Sequence, residues 1–240
     1  MGALLTQNSW TMDVALSRKR SRLALDEDDE DLTPRREPSP ALSGFGDTLK
    51  KSKTQCELEE LDIISPQEAW NVDVDAILGS PMLATPPGSR LEAHDNWARH
   101  QRDRSVIVLC VQGNVQIHYE LLCSALPDLY RLSPSLQAFV LCHDPSTHRI
   151  SPSAPFSLPL IQAATPSNNH FVRLGLLHPL GGGKFPLDAL VVVDRNAKRR
   201  LVLPFGWGAG KHANTPAGRN IQKTLMSLLR SCIEQLEQEC

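Results

Sequence analysis

The chain has 240 residues, of which 41% are hydrophobic, and a formal net charge of −2. That length suits one domain with long extensions or two small domains. No apolar stretch approaches the roughly 18 residues of a membrane span, and the six cysteines form no CxxC pair and no metal-ligand spacing. These features exclude an integral membrane protein, a zinc ribbon and a dithiol of the CxxC type, and they favour an intracellular protein with reduced thiols.

The charge is distributed unevenly along the chain. Residues 1–104 carry 13 basic and 19 acidic side chains, whereas residues 105–240 carry 12 basic and 8 acidic side chains. The second part is long enough to bury about two-thirds of its unfolded surface. We therefore expect an acidic extension followed by one basic globular domain.

Residues 1–64 are predicted to be a disordered charged tail, because they hold too few clustered apolar residues to offset the entropy of ordering. The tail contains a basic cluster typical of a nuclear-import signal: Arg18, Lys19, Arg20 and Arg22. Gly2 also fits a myristoylation pattern, but the acidic run that follows opposes binding to an anionic membrane. We expect localisation in the nucleus and cytoplasm, and leave the modification of Gly2 open.

Several serine and threonine residues that precede proline are candidate sites for proline-directed phosphorylation: Thr33, Ser39, Ser65, Ser80 and Thr85. Each phosphate would add about −1.5 to −2 charges. The alternative interpretation is that these steps are ordinary turn formers. Together with the import signal they favour a regulated nuclear protein.

Residues 65–78 are predicted to form a short amphipathic helix. Ser65, Pro66 and Glu68 make a capping box with proline at the first helical position. The apolar residues that follow fall on one helical face: Trp70, Val74, Ile77 and Leu78. A helix of this kind suits docking in the groove of a protein partner, and it equally suits packing on the chain's own basic domain. Residues 79–104 are predicted to be a linker.

Residues 105–240 alternate between apolar strands and amphipathic helices. Strands are predicted at 105–111, 136–142, 189–194 and 200–203, and helices at 117–132, at 170–177 and from the Thr215 cap onward. Pro127 is expected to kink or end the first helix. Helix-linked strands followed by a hairpin indicate an α/β domain with a mixed sheet.

The order β-α-β-α-β-β-α resembles the thioredoxin fold, and the local sequence is similar to its peroxiredoxin-like (AhpC/TSA-type) branch. The resemblance covers roughly residues 105–238 and depends on the segment 171–176, the run 181–186 and the strand that ends at Asp194. It implies a thioredoxin-like mixed sheet with flanking helices. It also makes Pro186 the candidate for the structural cis-proline in front of the third strand.

In that family the reactive cysteine lies at the start of the first helix, where backbone amides lower the pKa of a thiol. In this chain Val115 and His118 stand at the two dithiol positions, so the site is predicted to be degenerate. His118 is interpreted as a surface residue in preference to a relic or a ligand. The arginine that the family carries before the third strand is missing, with Asp188 near that place. Other thiols remain fallback candidates for redox chemistry: Cys110, Cys123 and Cys142.

The glycine-rich loop over residues 206–212 lacks the spacing of a phosphate-binding loop, so nucleotide binding is not expected. Phe205 and Trp207 are candidates for an exposed surface that binds a partner, although covering the core is the simpler alternative. The histidines show no metal-binding spacing. We expect no metal and no cofactor, and we do not expect direct binding of nucleic acid.

Three hypotheses for function follow from these patterns. The leading one is a non-catalytic thioredoxin-like scaffold or regulatory protein that binds a protein partner, with a tail that carries import and phosphorylation signals. The second is an atypical peroxiredoxin-like thiol oxidoreductase. The third is a transcriptional regulator that acts through the acidic and hydrophobic segment 57–78.

Overall fold

The structure is a computed structural model, and it describes residues 61–80, 95–98, 100–143, 148, 158–165, 168–178, 185–206 and 212–239. All of these residues lie in the compact unit Leu49–Cys240. The predicted tail therefore lies outside the described residues, apart from positions 61–64. No helix in the part of the chain that the structure describes is long and apolar enough to cross a membrane.

The described residues form eight strands and four helices. The strands are β1 (Trp70–Asn71), β2 (Ile107–Gln112), β3 (Gln137–Cys142), β4 (Leu160–Gln162), β5 (Ala164–Thr165), β6 (Asn168–Asn169), β7 (Ala189–Val193) and β8 (Lys198–Pro204). The helices are α1 (Val74–Leu78), α2 (Ile117–Leu132), α3 (His170–Arg173) and α4 (Pro216–Gln238). The third helix is shorter than the predicted 170–177, because Gly175 adopts a positive φ of 68° and turns the chain.

The main sheet has six strands in the order β1-β8-β7-β2-β3-β4. Strands β2, β3 and β4 run parallel to one another, while β7 is antiparallel to both β2 and β8. Strands β2 and β3 are joined through α2, and α4 follows β8. This order and these directions are those of the thioredoxin fold, so the predicted fold class is confirmed.

The core lies on both faces of this sheet. In β2 the side chains of Val108 and Cys110 pack on the face that α2 and α4 cover, and those of Leu109 and Val111 pack on the opposite face with α1 and α3. Every residue of β2, β3 and β7 is buried. Burial on both faces explains why these strands are continuous apolar runs in the sequence.

The two long helices largely follow the predictions. Helix α2 has the predicted bounds, and it continues through Pro127 because Leu126 and Leu129 on either side are buried and hold it against the sheet. Of the two expectations for Pro127, that it ends the helix is wrong, and that it kinks the helix stays a prediction. Helix α4 begins at the predicted cap, where the hydroxyl oxygen of Thr215 accepts a hydrogen bond from the backbone N–H of Gly218 at 3.0 Å.

Residues 61–80, which we call the N-terminal strap, differ from the predicted helix over 65–78. The carbonyl of Ser65 accepts hydrogen bonds from the backbone N–H groups of Glu68 and Ala69, so a turn does begin there. The chain then extends into β1, and the helix is confined to α1. The prediction of one continuous helix is therefore wrong. Strand β1 pairs with β8 in an antiparallel ladder, and this contact with a distant part of the chain cannot be read from the sequence around β1.

The strap lies along β8 through backbone and charged contacts. The backbone N–H of Ile64 donates to the carbonyl of Arg200 at 2.8 Å, and the Nε of Arg200 donates to the carbonyl of Ile64 at 2.6 Å. The Nζ of Lys198 donates to the carbonyl of Pro66, also at 2.6 Å. Two basic side chains of β8, Lys198 and Arg200, are therefore engaged by the chain's own strap.

The apolar face of α1 packs on its own domain. Val74, Ile77 and Leu78 are buried in the same core cluster as Phe171 and Leu174. Of the two alternatives for this face, packing on the chain's own domain is the one that the structure contains. These three side chains are not presented to a partner or a transcriptional co-activator while the strap is docked. The prediction that they form a partner surface does not hold for this state.

Candidate functional site

The candidate site is the turn between β2 and α2, which stands where thioredoxin-like enzymes place their reactive thiol. Asp188, just before β7, reaches this turn because β2 and β7 are antiparallel neighbours with Val111 opposite Ala189. Its carboxylate accepts hydrogen bonds from the backbone N–H groups of Gly113 (2.7 Å), Asn114 (3.0 Å) and Val115 (3.1 Å). Three successive amides therefore converge on one internal anion.

The turn is packed tightly around this carboxylate. A Cβ atom at Gly113 would lie 2.7 Å from the carbonyl oxygen of Pro186 and 3.1 Å from Oδ2 of Asp188. Asp188 is nearly fully buried, and its own carbonyl accepts a hydrogen bond from the backbone N–H of Phe205 at 2.7 Å. Glycine is required at position 113 because any side chain would push the two segments apart.

This geometry determines what the turn can do chemically. Backbone amides that converge at such a turn can stabilise a thiolate or an oxyanion. Here the three amides are hydrogen-bonded to Asp188, and the carboxylate adds a negative charge that disfavours a second anion. The turn is therefore arranged to hold its own aspartate.

The structure brings both residues of the predicted degenerate site to this turn. Val115 is half-buried and donates to Asp188, whereas His118 lies in the first turn of α2 and is fully buried. The His118 ring stacks on Phe205 at 5.5 Å between centroids, and its Nε2 lies 2.9 Å from the carbonyl oxygen of Val111. Burial lowers the pKa of His118, while Asp188 and the carbonyl of Val111 oppose that shift. The interpretation of His118 as a surface residue is wrong, because the ring fills the space between α2 and the end of β8.

A buried polar group lies beside the turn. The Nδ1 of His148 lies 2.7 Å from Oε1 of Gln112, the last residue of β2, so the ring nitrogen is the donor. The same ring meets Tyr119 edge to face, with centroids 5.0 Å apart. Burial lowers the pKa of His148 to about 4. The sequence patterns did not single out His148, and nothing local to it signals a contact with a strand 36 residues earlier.

The fallback thiols lie in the core and not at the turn. Cys110, Cys123 and Cys142 are all fully buried. Burial raises the pKa of Cys110 well above its ordinary value, and neighbouring thiols and Asp188 add to that shift. Burial also raises the pKa of Cys123. A raised pKa keeps a thiol protonated at neutral pH, which is the opposite of what a nucleophile requires.

Pro186 occupies the place before β7 that the resemblance predicted, but its peptide bond is trans. None of the described residues has a cis peptide bond, so the cis-proline prediction is wrong. The extended chain pairs here with the segment after α3, through hydrogen bonds from His178 N–H to the Phe185 carbonyl and from Leu187 N–H to the Leu176 carbonyl, each at 2.8 Å.

The predicted partner surface at the end of β8 is corrected in part. Phe205 is fully buried against His118 and the core, so it is not an exposed binding residue. Trp207 lies outside the described residues. Trp70 is exposed, with 56% of its surface accessible.

Other predicted site residues fall in parts of the chain that the structure does not describe: Arg18, Lys19, Arg20, Arg22, Thr33, Ser39 and Thr85. Ser65 and Ser80 are described, and both are half-buried in the strap. Within the described ranges, no group of three or more His, Cys, Asp or Glu side chains is arranged to hold a metal ion.

Comparison with known proteins gives one short match. No known protein-family model matches the chain. The Uba3-binding protein but1 of Schizosaccharomyces pombe is 52% identical over 50 residues, which are 20% of this chain and 19% of but1. The chain thus matches about a fifth of the length of this curated relative, a stretch too short to establish a family.

Solved structures similar to the chain are peroxiredoxins, the branch that the sequence resembles. They include the bacterioferritin comigratory protein of Xanthomonas campestris, with a TM-score of 0.39 and 11% identity over 66% of this chain and 95% of that chain. AhpC of Mycobacterium tuberculosis has a TM-score of 0.34 and 13% identity over 52% of this chain and 70% of that chain. At these identities the likeness concerns the fold alone.

Proposed function

We propose that this chain is a thioredoxin-like scaffold that binds a protein partner and performs no thiol chemistry at the turn before α2. The observation that carries the proposal is the set of three hydrogen bonds from the turn amides of Gly113, Asn114 and Val115 to Asp188. A thiolate or a peroxide at this turn would have to displace a buried carboxylate that is held by charge-assisted bonds.

The positions of the thiols support the same proposal. Cys110 lies within β2, Cys142 is the last residue of β3 and Cys123 lies in the second turn of α2, and all three belong to the same core cluster. A peroxide would need to enter a packed interior to reach any of them. The fold therefore places these three thiols where they pack as small apolar groups, and not where a reactive thiol would lie.

The first partner to test is suggested by the short match to but1, whose name describes it as binding Uba3. We propose that this chain also binds Uba3, acts in the nucleus and cytoplasm, and is regulated by phosphorylation of its tail. Trp70 is the exposed residue best suited to such a contact. Its ring lies over the guanidinium of Arg199, with the cation 4.3 Å from the ring centroid, so the indole is held rigidly at the surface. Tryptophan held in this way is typical of an interface hot spot.

The binding proposal is tested by calorimetric titration of the purified full chain with Uba3. The Uba3 protein is taken from the organism that this chain comes from. Saturable binding is expected, and Trp70→Ala is expected to weaken it at least about tenfold, as for an interface hot spot. Trp97→Ala is the matched control, since Trp97 is also an exposed tryptophan (40%), and its ring meets His100 and not an arginine. Absence of binding by the unmodified and the phosphorylated full chain would contradict the assignment of Uba3.

The absence of thiol chemistry is tested separately by peroxide consumption with a thiol reductant. The wild-type chain and a variant with Cys110, Cys123 and Cys142 replaced by alanine are expected to show the same background rate. If the variant unfolds, alkylation of the wild-type thiols at pH 7 gives the second reading, and slow alkylation is expected for all three. Peroxide turnover that depends on any one of these cysteines would overturn this part of the proposal.

A further inference from the structure

The end of the N-terminal strap is fastened by one hydroxyl. The Oγ of Ser80 lies 2.6 Å from Nε2 of His170 in α3 and 2.8 Å from the carbonyl oxygen of Ala76 in α1. A serine hydroxyl has a single proton, which it donates to the carbonyl of Ala76, so Nε2–H of His170 is the donor in the other contact. Ser80 therefore connects the end of α1 to the domain.

The partner of this hydroxyl cannot move aside easily. His170 is 2% exposed, and its backbone N–H donates to the carbonyl of Ala163 at 2.8 Å. The backbone of His170 is thus fixed by a hydrogen bond, and its ring is buried beside the core against which α1 packs. The contact with Ser80 is short, and the Oγ is engaged by two protein groups at once.

A phosphate on this oxygen would be incompatible with the docked strap. It would add about −1.5 to −2 charges beside the carbonyl of Ala76 at the C-terminal end of α1, where the helix dipole already disfavours an anion. The nearby cation Arg173 is engaged by Asp73, with Nη1 and Oδ2 3.0 Å apart. Arg173 is therefore already paired with a carboxylate when the strap is docked.

We propose that Ser80, which precedes Pro81, is a phosphorylation site whose modification releases the strap from the domain. A proline-directed kinase transfers the γ-phosphoryl group of a nucleoside triphosphate to Oγ; the new O–P bond forms, the bond to the β-phosphate oxygen breaks, and the hydroxyl proton passes to the catalytic base of the kinase. Phosphorylation captures chains in which the strap has opened, and the added group prevents it from closing.

Release would change which surface the protein offers. The side chains of Val74, Ile77 and Leu78, buried in the docked state, would become an apolar helical face with Asp73 and Asp75 beside it, a form suited to a groove in a partner. This consequence rests on the proposed binding function. The release itself is a property of the chain alone and is tested without any partner.

The test of release is hydrogen exchange on the full chain with phosphoserine incorporated at position 80. Amides of residues 72–80 are expected to exchange at least about tenfold faster than in the unmodified chain, as the loss of two hydrogen bonds predicts. Peptides from β2 and α2 are expected to keep their protection. Phosphoserine at position 227 is the matched control, because Ser227 is exposed on α4, which packs on the opposite face of the sheet.

Two results separate a specific release from general damage. Ser80→Ala removes the same hydrogen bonds without adding charge or bulk, and it is expected to raise exchange in the strap by less than the phosphate does. Unchanged exchange over 72–80 with phosphoserine at position 80 would overturn the proposal. Loss of protection in β2 as well would overturn it too, since the effect would then be unfolding of the domain.

The modification itself is tested by incubating the full chain with a proline-directed kinase and mapping the phosphate. Phosphate is expected at Ser80 and is expected to be lost in Pro81→Ala. Modification at Thr33 or Ser39 without any at Ser80 would contradict the site. If the strap is released but Uba3 binds equally with and without phosphate, the switch stands and its proposed link to the partner fails.

Discussion

The carboxylate of Asp188 lies 2.7 Å from the backbone nitrogen of Gly113, although the two residues are 75 positions apart in the chain. The contact joins the segment that enters β7 to the turn that leaves β2, at the edge of the sheet where thioredoxin-like enzymes carry out their chemistry. The aspartate thereby has a structural role at a place where the fold could otherwise support catalysis.

Replacing Asp188 by alanine is expected to lower the free energy of unfolding by about 2–3 kcal/mol, because three part-buried hydrogen bonds to a charged acceptor are lost. Urea denaturation followed by circular dichroism measures the change. Asp128→Ala is the matched control, since Asp128 is an exposed carboxylate on α2 that pairs with Arg131, and little change is expected there. Equal stability of Asp188→Ala and the wild type would contradict the structural role of this carboxylate.

Gly113→Ala is expected to destabilise the domain by about 1–3 kcal/mol, because the new methyl group would lie 2.7 Å from the backbone carbonyl of Pro186. Gly206→Ala serves as the control, since no atom lies within 4 Å of the corresponding position. The two variants are compared by their urea midpoints. Equal urea midpoints for Gly113→Ala and Gly206→Ala would contradict the prediction, because the turn would then accommodate the added methyl group without loss of stability.

Arg200→Ala is expected to cost about 3–5 kcal/mol of stability. The guanidinium is 1% exposed and contacts Asp194 at 3.2 Å and Glu239 at 2.6 Å; its hydrogen bond to Glu239 lowers the pKa of that carboxyl group to about 2. Truncation leaves Asp194 buried without its cation. Arg131→Ala, which breaks an exposed pair, is expected to have little effect. A similar loss in the two variants would contradict this assignment.

The stability of the domain is expected to fall as the pH drops from about 6.5 to 4. Burial lowers the pKa of His148 to about 4 in the folded state, so within this range the unfolded chain binds a proton that the folded chain does not. Above pH 6.5 both states are neutral at this residue, and the difference vanishes. The full shift corresponds to as much as about 3 kcal/mol.

Urea denaturation at a series of pH values checks the role of His148. His148→Gln is expected to flatten the decline without abolishing it, because burial also lowers the pKa values of His118 and His170. His143→Gln is the control, since His143 is exposed immediately after β3. A pH profile that is unchanged in His148→Gln would contradict the prediction.

The strands and long helices could be predicted because their signals are local. The apolar residues of α2 recur with helical spacing, and the start of α4 is signalled by the cap residue Thr215 followed by Pro216. Buried strands such as β7 read as unbroken apolar runs. These features depend on neighbouring residues, which a single sequence displays directly.

The strap and the site could be predicted only in part, because long-range contacts determine them. Trp70 has the helical spacing of α1, yet its backbone pairs with Arg199 of β8. The sequence predicts that Val115 and His118 stand at the two dithiol positions, whereas the role of Asp188 depends on the register between β2 and β7. His118 is a polar residue, which a sequence alone assigns to the surface. It is buried because its ring stacks on Phe205, which follows β8.

The hydrogen bond from Arg200 to the carbonyl of Ile64 spans 136 residues of chain, and this has a consequence during synthesis. A ribosome adds about 5–20 residues per second, so the strap emerges on the order of ten seconds before the strand that receives it. Through most of that interval the apolar side of α1 also lacks Phe171 and Leu174, which belong to the core cluster that buries it. A nascent chain therefore passes through a stage in which this face is open to chaperones before the finished domain conceals it.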